Sequence, residues 1–158
     1  MGDHRTEPTA DVNDASQCSD SIAATLDVIG DRWTLLILRE CFRGVRRFSD
    51  LADGLGIAKN LLSSRLRKLV AAGLLEKVPY QDRPVRYEYR LTPMGADLSP
   101  ALIALMHWGD RWFAHGDPPT VLVHKTCGTP LEHAVTCPTC DATVAPGQIR
   151  TLDDESAR

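Results

Sequence analysis

Apolar residues recur at helical spacing in four successive stretches of this chain, then switch to alternation. In the first, Ile22, Leu26 and Ile29 share one face of a helix predicted over 19–29, with Ser19 as its N-cap and Gly30 as its stop. Asp31 is placed to cap the second, a richly apolar helix over 33–42 that reads as the central buried one, closed by Gly44. Ser49 is the expected cap of a short third helix carrying Leu51, Ala52 and Leu55, broken by Gly56. The fourth runs over 58–72, with Gly73 as its closing residue. Residues 74–80 and 85–91 alternate and are rich in valine, tyrosine and leucine, so 81–84 is a hairpin turn. Thr92 and Pro93 then form an N-cap and a first helical position. That last helix is expected to reach about residue 114, with a kink at Pro100 and with Leu98, Leu102, Leu105, Trp108 and Trp112 near one stripe.

A short helix, a glycine turn, a basic helix and a hairpin follow one another in the order a winged helix-turn-helix needs. The predicted fold is therefore mainly α with a small β-hairpin wing. The organisation expected is an aperiodic polar arm over 1–17, the winged helix-turn-helix with its dimerisation helices over 18–116, a small β segment over 117–152, and a tail over 153–158. At 158 residues, 43% apolar and 25% charged, the chain can bury one ordinary core plus an appendage. None of its apolar runs is long enough to span a membrane, and the acidic start has no signal-peptide pattern. A soluble cytoplasmic protein is expected.

Net charge is −3, which by itself argues against a nucleic-acid partner. Its distribution reverses that. Residues 39–90 carry twelve basic and six acidic groups, while both ends of the chain are acidic. A basic segment between acidic ends is an electrostatic footprint for DNA. At about 100° per residue, Leu62, Leu66, Leu69 and Val70 face the core, leaving Asn60, Ser63, Ser64, Arg67 and Lys68 on the opposite side. Asparagine, serine and arginine are side chains that hydrogen-bond base edges. Asn60, Ser63, Ser64 and Arg67 are thus the expected base readers. Arg46, Arg47, Lys59, Arg65, Lys68, Arg83 and Arg86 are expected at phosphates or the minor groove.

These residues resemble a known family. Cys18, the blocks 26–38, 46–51, 62–69, 73–74 and 84–95, and the late Trp108 look like the HxlR-type regulators, bacterial winged-helix transcription factors related to the MarR group. The resemblance covers nearly two thirds of the chain. It implies a homodimer built from the first and last helices, binding double-stranded DNA at a palindromic or near-palindromic operator. It also implies a thiol sensor candidate, because some members carry one near the first helix, where Cys18 stands here. Ser19 replaces the proline that usually follows.

The C-terminal segment carries different chemistry. His124 and Cys127, then Cys137 and Cys140, form two ligand pairs of the spacing that builds zinc knuckles. Gly128 and Pro138 suit the turns. Three thiolates and an imidazole with no spare position describe a structural Zn²⁺ site in a zinc-ribbon-like piece, the competing view being a degenerate ribbon that binds nothing. His133 is a weaker substitute ligand. Cys41, in the apolar helix, reads as an inert core thiol. Trp108 and Trp112 read as core, or as the lining of a dimer-interface pocket for a small hydrophobic effector. The functional expectation is a regulator, more a repressor than an activator. The alternative is a winged-helix/zinc-ribbon adaptor that contacts the transcription machinery. No open metal position, phosphate loop or nucleophile motif supports an enzyme.

Overall fold

The structure, a computed structural model, describes residues 20–150. The chain divides into two compact units, one ending at Thr92 and the other beginning at Pro93. That boundary precedes the last two α-helices.

Four helices and a hairpin make the first unit. Helix α1 is Ser21–Ile29; its N-cap is Asp20, whose carboxylate accepts from the Ile22 amide. The predicted cap, Ser19, lies outside the described residues. Helix α2, Arg32–Phe42, is capped by Asp31 as the sequence indicates, with its side chain accepting from the Trp33 and Thr34 amides. Helix α3 is Phe48–Leu55 and begins earlier than expected: Arg47 is the N-cap and makes no side-chain cap bond. Ser49 lies inside the helix and donates to Asp50 Oδ1 at 2.9 Å. Gly56 takes the left-handed conformation (φ 60°) that turns the chain sharply into helix α4, Lys59–Ala71.

Strand β1, Leu75–Asp82, pairs antiparallel with β2, Val85–Leu91, from Leu75–Leu91 out to Asp82–Val85. The ladder thus runs further than expected and leaves only Arg83 and Pro84 at the tip. A bulge interrupts it between Pro79 and Gln81. Arg47 forms an isolated bridge to Glu88, which ties the start of α3 to the wing.

The core sits among α2, α3, α4 and the root of the wing. Ile37, Leu38, Leu51, Leu62, Leu66, Leu69 and Leu75 are all fully buried there, and each large aliphatic side chain so removed from water contributes about 1.5–3 kcal/mol. Val70, expected beside them, is half-buried. Cys41 is buried as predicted, and burial together with the Glu40 charge pushes its thiol up to about 12. Glu40 is a buried carboxylate that the hydrophobic pattern does not reveal. It accepts from Arg39 Nη2 at 2.8 Å and Arg43 Nη1 at 3.3 Å, so its charge is compensated.

In the second unit the single long helix predicted after Thr92 is two helices, α5 (Pro93–Ala96) and α6 (Ser99–Trp112). Pro100 therefore stands in the first turn of α6, where its missing N–H costs nothing, and it produces no internal kink. The β-like runs beyond form no ladder. They close two small turns through the isolated bridges Val123–Pro130 and Thr136–Thr143, and a 3₁₀ turn follows at Pro146–Gln148. Gly95 is the one buried residue among those described in this unit.

Candidate nucleic-acid interface

Helix α4 presents the polar side that its sequence promises. Lys59, Asn60, Ser64 and Arg67 are exposed, Ser63 is half-buried, and Leu62, Leu66 and Leu69 hold the opposite side in the core. Asn60 Oδ1 accepts from the Leu61 amide, which leaves its NH₂ group as a free donor among the described residues. Arg46 and Arg47 at the α3 entrance and Arg83 and Arg86 at the wing tip are all exposed. None of these four forms an ion pair among the described residues.

Two of the residues expected at phosphates also make contacts within the chain. Arg65 Nε lies 3.0 Å from Asp31 Oδ1, a charge pairing without the alignment of a hydrogen bond. Lys68 Nζ donates to the Asp27 carbonyl at 2.7 Å. Both side chains therefore reach the corner between α1 and α2; Lys68 stays exposed and keeps its charge, while Arg65 is half-buried beside a carboxylate. Asp31 is the partner of Arg65 and also caps α2. Burial pushes its carboxyl up, but the Thr34 hydroxyl and amide, the Arg65 charge and the Trp33 amide outweigh that and hold it below its ordinary value. A wheel shows only which side of a helix a residue occupies. It does not show that a long arginine or lysine folds back onto a neighbouring element.

Between the α3 entrance and the inner face of the wing lies a cleft of about 290 Å³ that sequence reasoning missed. Tyr80, Tyr87 and Tyr89, all three tyrosines of the chain, line it. Arg47 stands 4.9 Å from the Tyr80 ring centre and Lys77 3.9 Å from that of Tyr87. The available signal was the alternation itself: Lys77 pairs with Tyr89 and Pro79 with Tyr87, so these residues share one face of the hairpin.

In the C-terminal segment each ligand pair forms its own knuckle. His124 Nδ1 is 3.1 Å from Cys127 Sγ, and the Gly128 amide donates back to the His124 carbonyl at 2.8 Å. The Asp141 amide does the same to Cys137 at 2.9 Å. Bonds from Thr129 lower the Cys127 thiol, and the Cys140 and Thr139 amides lower Cys137. The donor chemistry suits zinc within each half. Among the described residues, however, no group of three or more His, Cys, Asp or Glu side chains comes together as a metal set. His133 turns elsewhere: its Nδ1 is 2.8 Å from that of His107 on α6.

Trp108 and Trp112 are not core, being 56% and 66% exposed. Trp108 meets Phe113 edge-on at 5.0 Å and Arg111 lies over Trp112 at 5.9 Å. Cys18 lies outside the described residues. No helix among the described residues is long and apolar enough to cross a membrane.

Comparison with known proteins agrees with this geometry. An uncharacterized HTH-type transcriptional regulator of Mycobacterium tuberculosis is 50% identical over 122 residues, covering 77% of each chain. The crystal structure of PA1607, a candidate transcription factor, superposes with a TM-score of 0.78 at 38% identity, over 87% of this chain and 97% of that one. The redox regulator HypR in its reduced form matches at 30% identity and a TM-score of 0.55, over 58% of this chain and 95% of its own. The HxlR-like helix-turn-helix family matches residues 28–117, and with the α4 face and wing described above the chain belongs to that family of transcriptional regulators, not to an enzyme family.

Proposed function

We propose that the protein is a repressor that binds a palindromic operator as a homodimer. The observation that carries this reading is the exposed Asn60, Ser64 and Arg67 face of α4, flanked by the exposed Arg46, Arg47, Arg83 and Arg86. One bidentate base contact provides about 1–3 kcal/mol of discrimination, and the flanking cations supply the part of affinity that does not depend on sequence.

The dimer is supported by two helices with unfilled apolar faces. Helix α1 buries none of its residues, and Ile22 and Leu26 are exposed; α6 buries none either, and Leu105, Trp108 and Trp112 are exposed. Apolar stripes of this kind mark association surfaces. A pocket formed there would take a small hydrophobic effector. A thiol signal through Cys18 is a second input, supported by the likeness to a redox regulator. Zinc would be held by His124, Cys127, Cys137 and Cys140 once the two knuckles close on one another, and its chemistry there is that of a structural cross-link.

The test combines genomic mapping of bound sites with sedimentation of the purified protein. A dimeric species protecting two symmetric half-sites supports the proposal. A monomer, or weak salt-labile binding without sequence preference, sinks it and favours the adaptor. Elemental analysis tests the metal: one zinc per chain supports the closed ribbon and none refutes it.

A further inference from the structure

We propose that the tyrosine cleft at the root of the wing is a seat for one phosphodiester of the DNA backbone, with Lys77 and the Tyr87 hydroxyl as donors to it. This rests on the DNA-binding reading above and adds a contact point that neither the recognition helix nor the wing tip supplies.

The inner face of the hairpin begins as core, with Leu75 buried. Two residues further out, Lys77 and Tyr89 occupy the same face, and beyond them Pro79 and Tyr87. A wing needed only for packing would continue with aliphatic side chains. Here the face instead becomes aromatic and cationic, opposite Arg47, Phe48 and Ser49 at the start of α3.

Three cations, Arg47, Lys77 and Arg86, line the cleft and no carboxylate does. Of the nearby acidic groups, Glu88 binds Arg90 at 2.5 Å and Asp50 accepts from Ser49, while Asp82, cross-strand from Val85, lies at the wing tip outside the lining. None of the three cations forms an ion pair among the described residues. Arg47 and Lys77 rest on tyrosine ring faces, which orients them without neutralising their charge. The hydroxyls of Tyr80, Tyr87 and Tyr89 make no hydrogen bond among the described residues, and burial pushes the Tyr89 phenol up, so it stays a neutral donor. A concave site offering several N–H and O–H donors and net positive charge is complementary to a phosphate. At about 290 Å³ it has room for that group and its adjoining sugar, but it is at the lower limit for a drug-sized ligand. Its two rims are the α3 entrance and the wing, both of which carry the arginines assigned to the backbone.

The experiment measures binding of the full-length protein to its mapped operator and to random duplex across a range of salt. Each phosphate contact contributes a slope of about 0.9 in log K against log salt. Lys77→Met should lower the slope by about 0.9 per protomer. It should weaken operator and random DNA alike, on the order of four-fold per protomer at about 0.2 M salt. Tyr87→Phe keeps the ring beneath Lys77 and removes only the hydroxyl, so it should weaken both duplexes by a smaller factor. Arg90→Gln, on the opposite face and paired with Glu88, should leave the slope unchanged. An unaltered slope in Lys77→Met, with an unchanged melting temperature, overturns the seat while the operator reading stands. Loss of operator preference in that variant overturns it too, by making Lys77 a base reader. If the unmodified protein shows no salt-dependent DNA binding, the functional proposal itself fails.

Discussion

The two units of this chain are held together by different means. The first, ending at Thr92, encloses a leucine- and isoleucine-rich core in which seven large aliphatic side chains are fully buried. The second, beginning at Pro93, has no buried apolar side chain among its described residues, and Val121, Val123, Val135 and Ile149 are exposed. Its turns depend on local backbone bonds such as Gly128 to His124 and Asp141 to Cys137. A unit with a core can present a rigid reading face by itself. A unit without one rests on those local bonds and, in the function proposed above, on a second protomer or a metal ion.

Cysteine chemistry should show that contrast most sharply. Cys41 is buried with its thiol at about 12, so on the order of one in a hundred thousand is thiolate at pH 7. Cys127 and Cys137 have lowered thiols, and Cys127 is exposed. In reduced, metal-free protein, alkylation followed by peptide mass mapping should label Cys127, Cys137 and Cys140 well before Cys41. Early labelling of Cys41 would show that the first unit opens.

Stability should divide the same way. Leu66→Ala leaves a cavity in the core and should cost about 2–5 kcal/mol in denaturant unfolding. Val135→Ala, at a side chain 60% exposed, should change it by less than about 0.5 kcal/mol. Comparable losses would mean that the second unit has a core after all.

Within the first unit, recognition should separate by position. Arg67→Ala should cost about 1–3 kcal/mol on the operator and relax its choice of sequence, whereas Arg83→Ala should weaken every duplex equally. Competition gel shifts read both, and parallel losses on specific and random DNA for the two variants would contradict the assignment of Arg67.

A further effect, confined to the acid range, concerns Asp31. Its carboxyl is held below the ordinary 3.8, so the folded state is favoured by its ionised form. That contribution is fully present above 3.8 and disappears as pH falls through the lowered folded value. Asp31→Ala should lose about 0.5–2 kcal/mol of cap stabilisation at neutral pH and flatten the stability curve in that acid window. An unchanged acid limb in thermal melts would remove Asp31 from its role.

Periodicity made most of the first unit legible. The spacing of Leu62, Leu66 and Leu69 identified α4 and its buried side, Asp31 identified the start of α2, and alternation identified the wing. These are local signals, set by bonds between residues a few positions apart. The contacts of Arg65 and Lys68 with the corner at 27–31, the buried Glu40 and the tyrosine cleft depend on which elements meet in space, which no window of sequence reports. The break before α6 was missed for a different reason. Pro100 is compatible with either a kink or a first turn, and the stripe from Leu98 to Trp112 reads the same in both cases.

The two moorings of α4 have a mechanical consequence. Lys68 grips the last turn of α1 and Arg65 the first cap of α2, so the corner at 27–31 and the reading helix form a single lever. A displacement of that corner is thereby passed to the face carrying Asn60 and Arg67 with no change in those side chains.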